Sequence, residues 1–111
     1  MRKDKASKGM TSGKKEQMPE TWLVQVHGLV QGVGYRDACI RYAQAQSITG
    51  WVRNRVDGSV ELMLQSSKGQ LGEMCSWLRH GIPAAHVNKL EVSEVPPPSP
   101  RFNRFDQLPT L

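Results

Sequence analysis

Long apolar runs are missing from this 111-residue chain: hydrophobic residues make up 38% of it and never continue for more than a few positions. A membrane-spanning helix needs about 20 consecutive apolar residues and a secretory signal an apolar stretch of about 7 to 15. Neither is expected, and the chain reads as soluble and cytoplasmic. Cysteine is scarce too. Cys39 and Cys75 lack zinc-type or Cys-x-x-Cys spacing, and a reducing compartment would keep them as thiols, so both are expected as small buried hydrophobes. The chain also shows no paired carboxylates, no activated serine or cysteine, and no metal-ligand cluster. His27, His80 and His86 are scattered, ordinary structural or surface positions. No metal and no cofactor are therefore expected. The length suits one domain and leaves no room for a second.

Charge of one sign is in modest excess, and it is unevenly placed. The net charge is +5, but residues 1–20 hold six basic residues against three acidic ones, while 21–111 holds nine against seven. The first segment has glycine, serine and lysine and almost nothing able to build a core, so it reads as a disordered basic tail ahead of a folded domain over 21–111. A weakly basic domain suits a small anionic substrate and gives little support for a nucleic-acid surface.

Within that domain, Trp22, Val24 and Val26 alternate with polar neighbours, the period of a half-buried strand. Tyr35, Ala38, Cys39, Tyr42 and Ala45 recur at helical spacing, predicting a helix over 35–46. Strands are expected over 48–54 and 59–65, joined antiparallel through Asp57-Gly58, a dipeptide suited to a tight hairpin. Leu71, Met74, Cys75 and Leu78 form a second helical stripe that stops at Gly81 and Pro83. A strand near 87–95, a stiff proline connection over 96–100 and a short strand near 102–106 complete the chain. The βαββαβ order with one added strand predicts the α+β, ferredoxin-like split βαβ arrangement, an antiparallel sheet with both helices on one face.

Chemistry concentrates where the first strand runs into the first helix, in Gly28–Arg36, reading GLVQGVGYR. Glycines at a strand end just before a helix leave backbone N–H groups free to converge on an anion. The loop lacks the Gly-Lys-Ser/Thr of a nucleotide P-loop and the spacing of dinucleotide sites. Arg36 follows it in the first helical turn, where a guanidinium can grip phosphate oxygens bidentately. On these residues alone, a tight turn beside a surface arginine explains the pattern better than a phosphate site does.

A second segment, GWVRNRVDGSVE over Gly50–Glu61, places Asn54 at the end of a strand just before the hairpin. Together the two segments resemble the paired signatures of the acylphosphatase family, a G-x-V-Q-G-V-x-[FY]-R loop followed by G-W-V-x-N-x-x-D-G-x-V-E. The resemblance runs from about residue 21 to 106. It implies hydrolysis of a carboxyl-phosphate mixed anhydride in a ferredoxin-like fold, with Arg36 and Asn54 as catalytic residues. Substrate would be held by the loop over Gln31, Gly32, Val33, Gly34 and Tyr35. Ser47 stands where family members often carry glycine, and Arg55 where some carry threonine. Asp57 and Glu61 read as hairpin and strand-surface residues, Trp51 as packing beside the hairpin, and Cys39 as a packed helix position.

So sparse a set suits an acyl phosphate. Its leaving group is a carboxylate with a pKa of about 4 to 5, judged from carboxyl reference values, and needs no general acid. Positioning and charge stabilisation then carry the reaction, with Asn54 holding the water and the substrate's own oxygens taking its proton. The expected partner is a small acyl phosphate and the expected state a monomer. Two other readings share the element order. One is an RNA-binding module, disfavoured because Val60–Gln65 offers no aromatic on which to stack a base. The other is an acyl-phosphate-binding module without turnover.

Overall fold

A computed structural model describes residues 18–111; the expected tail over 1–20 lies outside them up to residue 17. The chain runs β1 (Glu20–Leu29), α1 (Tyr35–Ala45), β2 (Thr49–Asn54), β3 (Val60–Ser66), α2 (Lys68–His80), β4 (His86–Glu94) and β5 (Phe105–Gln107). The strands form one sheet in the order β4-β1-β3-β2-β5. The first four are antiparallel, as expected. The added fifth joins β2 in parallel, through Gly50↔Phe105 and Val52↔Gln107, so the sheet is mixed at that edge.

Strand alternation divides the sheet into two faces. Val24, Val52 and Leu62 are cross-strand partners, and with Val26, Val60 and Leu64 they are buried in one cluster with both helices. Helix α1 contributes Tyr35, Cys39 and Ala43, and α2 contributes Leu71, Met74, Cys75 and Leu78. Burying each such aliphatic side chain contributes about 1.5 to 3 kcal/mol. Helix α1 is rotated slightly from its expected stripe: Ala43 is buried and Ala45 is exposed. Tyr42 lies at the margin and stacks on Trp77 of α2, with ring centroids 4.4 Å apart.

The opposite face is polar and only partly covered. Residues 95–104 must travel from the β4 edge to the β5 edge, and they cross beside the start of β1. There Gln65 donates to Thr21 Oγ1 (2.9 Å) and the Pro100 carbonyl (2.8 Å) and accepts from the Phe102 N–H (3.0 Å). The proline segment is thus a connection, held by a buried amide. No helix among the described residues is long and apolar enough to cross a membrane.

Candidate active site

The end of the sheet opposite that crossing carries the β1–α1 loop and the β2–β3 hairpin. At the end of β1 the register with β4 shifts between His27 and Gly28. Gly28 sits at φ +131°, and a Cβ there would collide with the His86 carbonyl. This first glycine of the loop serves close strand approach.

Gly32 and Gly34 serve the loop itself. Both have φ near +80° (77° and 79°) with open space around them, so backbone conformation rather than room selects glycine. Gly34 is the N-cap of α1 and supplies no side-chain capping bond. The first N–H groups of the helix lack intrahelical partners, and at this end lies a cleft of about 240 Å³ lined by Val30, Gln31, Gly32 and Gly34 of the loop, by Tyr35, Arg36 and Asp37 of the first helical turn, and by Asn54. Water occupies about 30 Å³ in the liquid, so the space is large enough for a small anion and a water molecule.

Arg36 lies in the first turn, half-buried, and adds a cation to the positive end of the helix dipole. Asn54 reaches the same cleft from the end of β2. It shares the helix-facing side of the sheet with Val52, and its Oδ1 is buried without a protein hydrogen-bond partner. Leaving a buried acceptor unpaired costs about 1 to 3 kcal/mol; such an atom beside a cleft is suited to a ligand or water.

The remaining loop residues divide by role. Gln31 donates from one amide nitrogen to the carbonyls of Arg55 and Ser59, each at 2.8 Å, and so braces the loop against the hairpin. Those donors are directed away from a substrate. Val33 packs against the core. The Tyr35 side chain is buried and donates to the Leu78 carbonyl at 2.8 Å, with burial pushing its hydroxyl pKa well up. The Tyr35 hydroxyl is therefore committed to α2 and not to the cleft.

The hairpin closes through Arg55 N–H to Ser59 O (2.8 Å) and Gly58 N–H to Arg55 O (3.1 Å). Asp57 Oδ1 accepts from the Ser59 N–H and hydroxyl, bonds that hold its carboxyl below the usual range. Glu61 departs from its expected place on the strand surface. It is buried, at 4% exposure, beneath Arg53 and Arg55, because the long arginine stems fold over it.

Trp51 lies on the polar face under the Arg53 guanidinium, 4.7 Å from the ring centroid, and does not line the cleft. Cys39 is buried, and burial raises its thiol pKa strongly, which keeps it an unreactive thiol. His27 pairs with Glu91 at 2.8 Å on the polar face. Among the described residues no three His, Cys, Asp or Glu side chains converge as metal ligands. Larger clefts lie elsewhere, one by Thr21 and Pro96, one between His27, Asp57 and His86, and one between Ser47 and Arg104. None of these contains Arg36 or Asn54.

The acylphosphatase family profile matches residues 22–107, nearly the whole described fold. An acylphosphatase of Polaromonas naphthalenivorans (strain CJ2) is 76% identical over 87% of this chain and 96% of its own length. Acylphosphatase 1 of Ralstonia nicotianae is 63% identical over 82% of this chain and 89% of its own. A solved acylphosphatase from Coxiella burnetii superposes with a TM-score of 0.77 at 29% identity, covering 84% of this chain and 96% of that one. The chain belongs to the acylphosphatase family, whose members are hydrolases.

Proposed function

We propose that this chain hydrolyses acyl phosphates, releasing a carboxylate and inorganic phosphate by in-line attack of one water. The observation that carries the reading is convergence: a helix N-terminus without a side-chain cap, Arg36 and Asn54, whose Oδ1 has no protein hydrogen-bond partner, meet at one small cleft. In this reading the N–H groups of the loop and first helical turn, with the Arg36 guanidinium, bind the phosphoryl oxygens and take up the charge that develops on them. Asn54 Oδ1 accepts a hydrogen bond from the attacking water and so aims its lone pair at phosphorus. The P–O bond to the acyl group breaks as the new P–O bond forms. The electron pair leaves with the carboxylate, and the water's proton passes to a phosphoryl oxygen. No phosphoenzyme forms.

The leaving carboxylate needs no protonation, so a site that works by positioning and charge stabilisation favours mixed anhydrides over alkyl monoesters. We read the protein as a monomer acting in the cytoplasm on a small-molecule substrate. An RNA-binding role is poorly supported, since the polar face of β1 and β3 presents Leu23, Gln25, Glu61 and Met63, none aromatic. The test is phosphate release from benzoyl phosphate and from an alkyl phosphate monoester, each in EDTA. Rapid hydrolysis of the first alone is expected. Comparable rates on both, or a requirement for added Mg²⁺, would contradict the mechanism.

A further inference from the structure

The mechanism needs Asn54 aimed into the cleft, yet Asn54 is the last residue of its strand and its Oδ1 has no protein partner to hold it. What holds it lies on the other face of the sheet. Arg53 and Arg55 flank Asn54 in sequence, and both side chains turn away from the cleft to meet Glu61 of β3. Glu61 Oε1 accepts from Arg53 Nε at 2.8 Å and from Arg55 Nη1 at 3.0 Å, while Oε2 accepts from Gln25 Nε2 of β1 at 3.3 Å. The carboxylate is 5% exposed and the two arginine side chains 21% and 32%, so this is a largely dry, charge-assisted clamp rather than a surface pair. Burial alone would raise the Glu61 pKa, but the hydrogen bonds from Arg53, Arg55 and Gln25 outweigh it and keep the carboxyl below its usual range.

Resting on the water-positioning reading of Asn54, we propose that Glu61 is a positioning residue for catalysis. By fixing the residues on both sides of Asn54 to the polar face, it leaves Asn54 only the helix-facing direction, because successive side chains of a strand point to opposite faces. Gln31 completes the hold from the loop side through the Arg55 and Ser59 carbonyls. The phosphoryl grip is built from the N-terminus of α1, Arg36 and the loop glycines; it meets this clamp only through the Gln31 bonds to backbone carbonyls and makes no hydrogen bond to Glu61 itself. Glu61 therefore acts on turnover and not on phosphate binding.

The test compares Glu61→Leu and Glu61→Gln, measuring kcat on benzoyl phosphate and the inhibition constant of inorganic phosphate. In Glu61→Leu the arginines lose their common anchor, and kcat is expected to fall roughly 10-fold or more while phosphate inhibition changes less than about twofold. Glu61→Gln keeps an acceptor oxygen under both guanidinium groups and is expected to recover most of the loss. Arg55→Met, which removes one arm and leaves the Glu61–Arg53 pair, covers the case in which Glu61→Leu fails to fold. It should show a smaller kcat loss with the same split. Unchanged kcat in the folded variants overturns the proposal, as does a rise in the phosphate inhibition constant that matches the kcat loss. Asn54→Ala separates the two levels of the argument. If it retains turnover, the water-positioning reading itself fails; if it loses turnover while Glu61→Leu does not, only the role of Glu61 falls.

Discussion

The two helices of this fold begin in opposite ways. At the start of α2, Ser67 adopts an extended conformation and its hydroxyl accepts from the Gln70 N–H at 3.3 Å, while Ser66 Oγ meets Gln70 Oε1 at 2.7 Å. The Ser-x-x-Gln spacing is that of a capping box, and here the serine side chain satisfies one of the first-turn donors. At the start of α1, Gly34 stands in the left-handed region with no side chain to offer. No side chain caps the leading N–H groups of that helix. Both helices pack on the same face of one sheet, so packing does not explain the difference; one end is capped by a side chain, and the other is left uncapped where the proposed mechanism needs an anion site.

That contrast is broken most severely at the cation beside the open end. Arg36→Ala removes a charge-assisted grip of about 1.5 to 3 kcal/mol, so kcat/KM on benzoyl phosphate should drop roughly 10- to 150-fold. Inhibition by inorganic phosphate should weaken in parallel, and a folded variant that keeps its phosphate affinity would refute the grip. Gly34→Ala forces an L side chain into the left-handed region at a cost of about 1 to 2 kcal/mol. Because no atom crowds the added Cβ, relaxation should tilt the loop amides. Turnover should fall several-fold at temperatures where circular dichroism shows the protein folded.

Ser67→Ala is the matched change at the finished end. Loss of the cap should cost about 1 kcal/mol in a denaturant titration with kcat unaltered; a clear kcat loss there would erase the distinction between the two ends. The smallest effect should come from Ser47, which follows α1 with φ +59° where family members often carry glycine. Ser47→Gly relieves that strain but adds freedom to the unfolded chain, so a net gain of about 0.5 to 1 kcal/mol is expected. A lower melting temperature would show that the serine side chain contributes more than its backbone strain removes.

The elements with a strong period were legible from residues alone. Val24 and Val26 of β1, Leu62 and Leu64 of β3 and the α2 stripe all lie where their spacing put them, since each buries a single face against one core. The Asp57-Gly58 hairpin was equally local. Strand β5 was less so: three residues are too few to show alternation, and its parallel pairing with β2 depends on how the chain crosses the sheet. Alternation placed Glu61 away from the core correctly but could not show that Arg53 and Arg55 cover it, because period reports direction and not what lies above. Arg36 and Asn54 stood out through motif spacing, whereas the roles of Gln31 and Tyr35 required tertiary contacts. Gln31 reaches the hairpin from 24 positions away in sequence, and Tyr35 reaches α2 from 43 away.

The central claim is that binding and water positioning reside on different elements, α1 with its loop for the first and the end of β2 for the second. Asn54→Ala tests it most directly, by kcat on benzoyl phosphate together with the inhibition constant of inorganic phosphate, on protein shown to be folded by circular dichroism. The account predicts a kcat loss of roughly 10²-fold or more with phosphate inhibition nearly unchanged, since Arg36 and the loop amides remain in place. Near-full turnover, or a loss of phosphate affinity as large as that of Arg36→Ala, would contradict it.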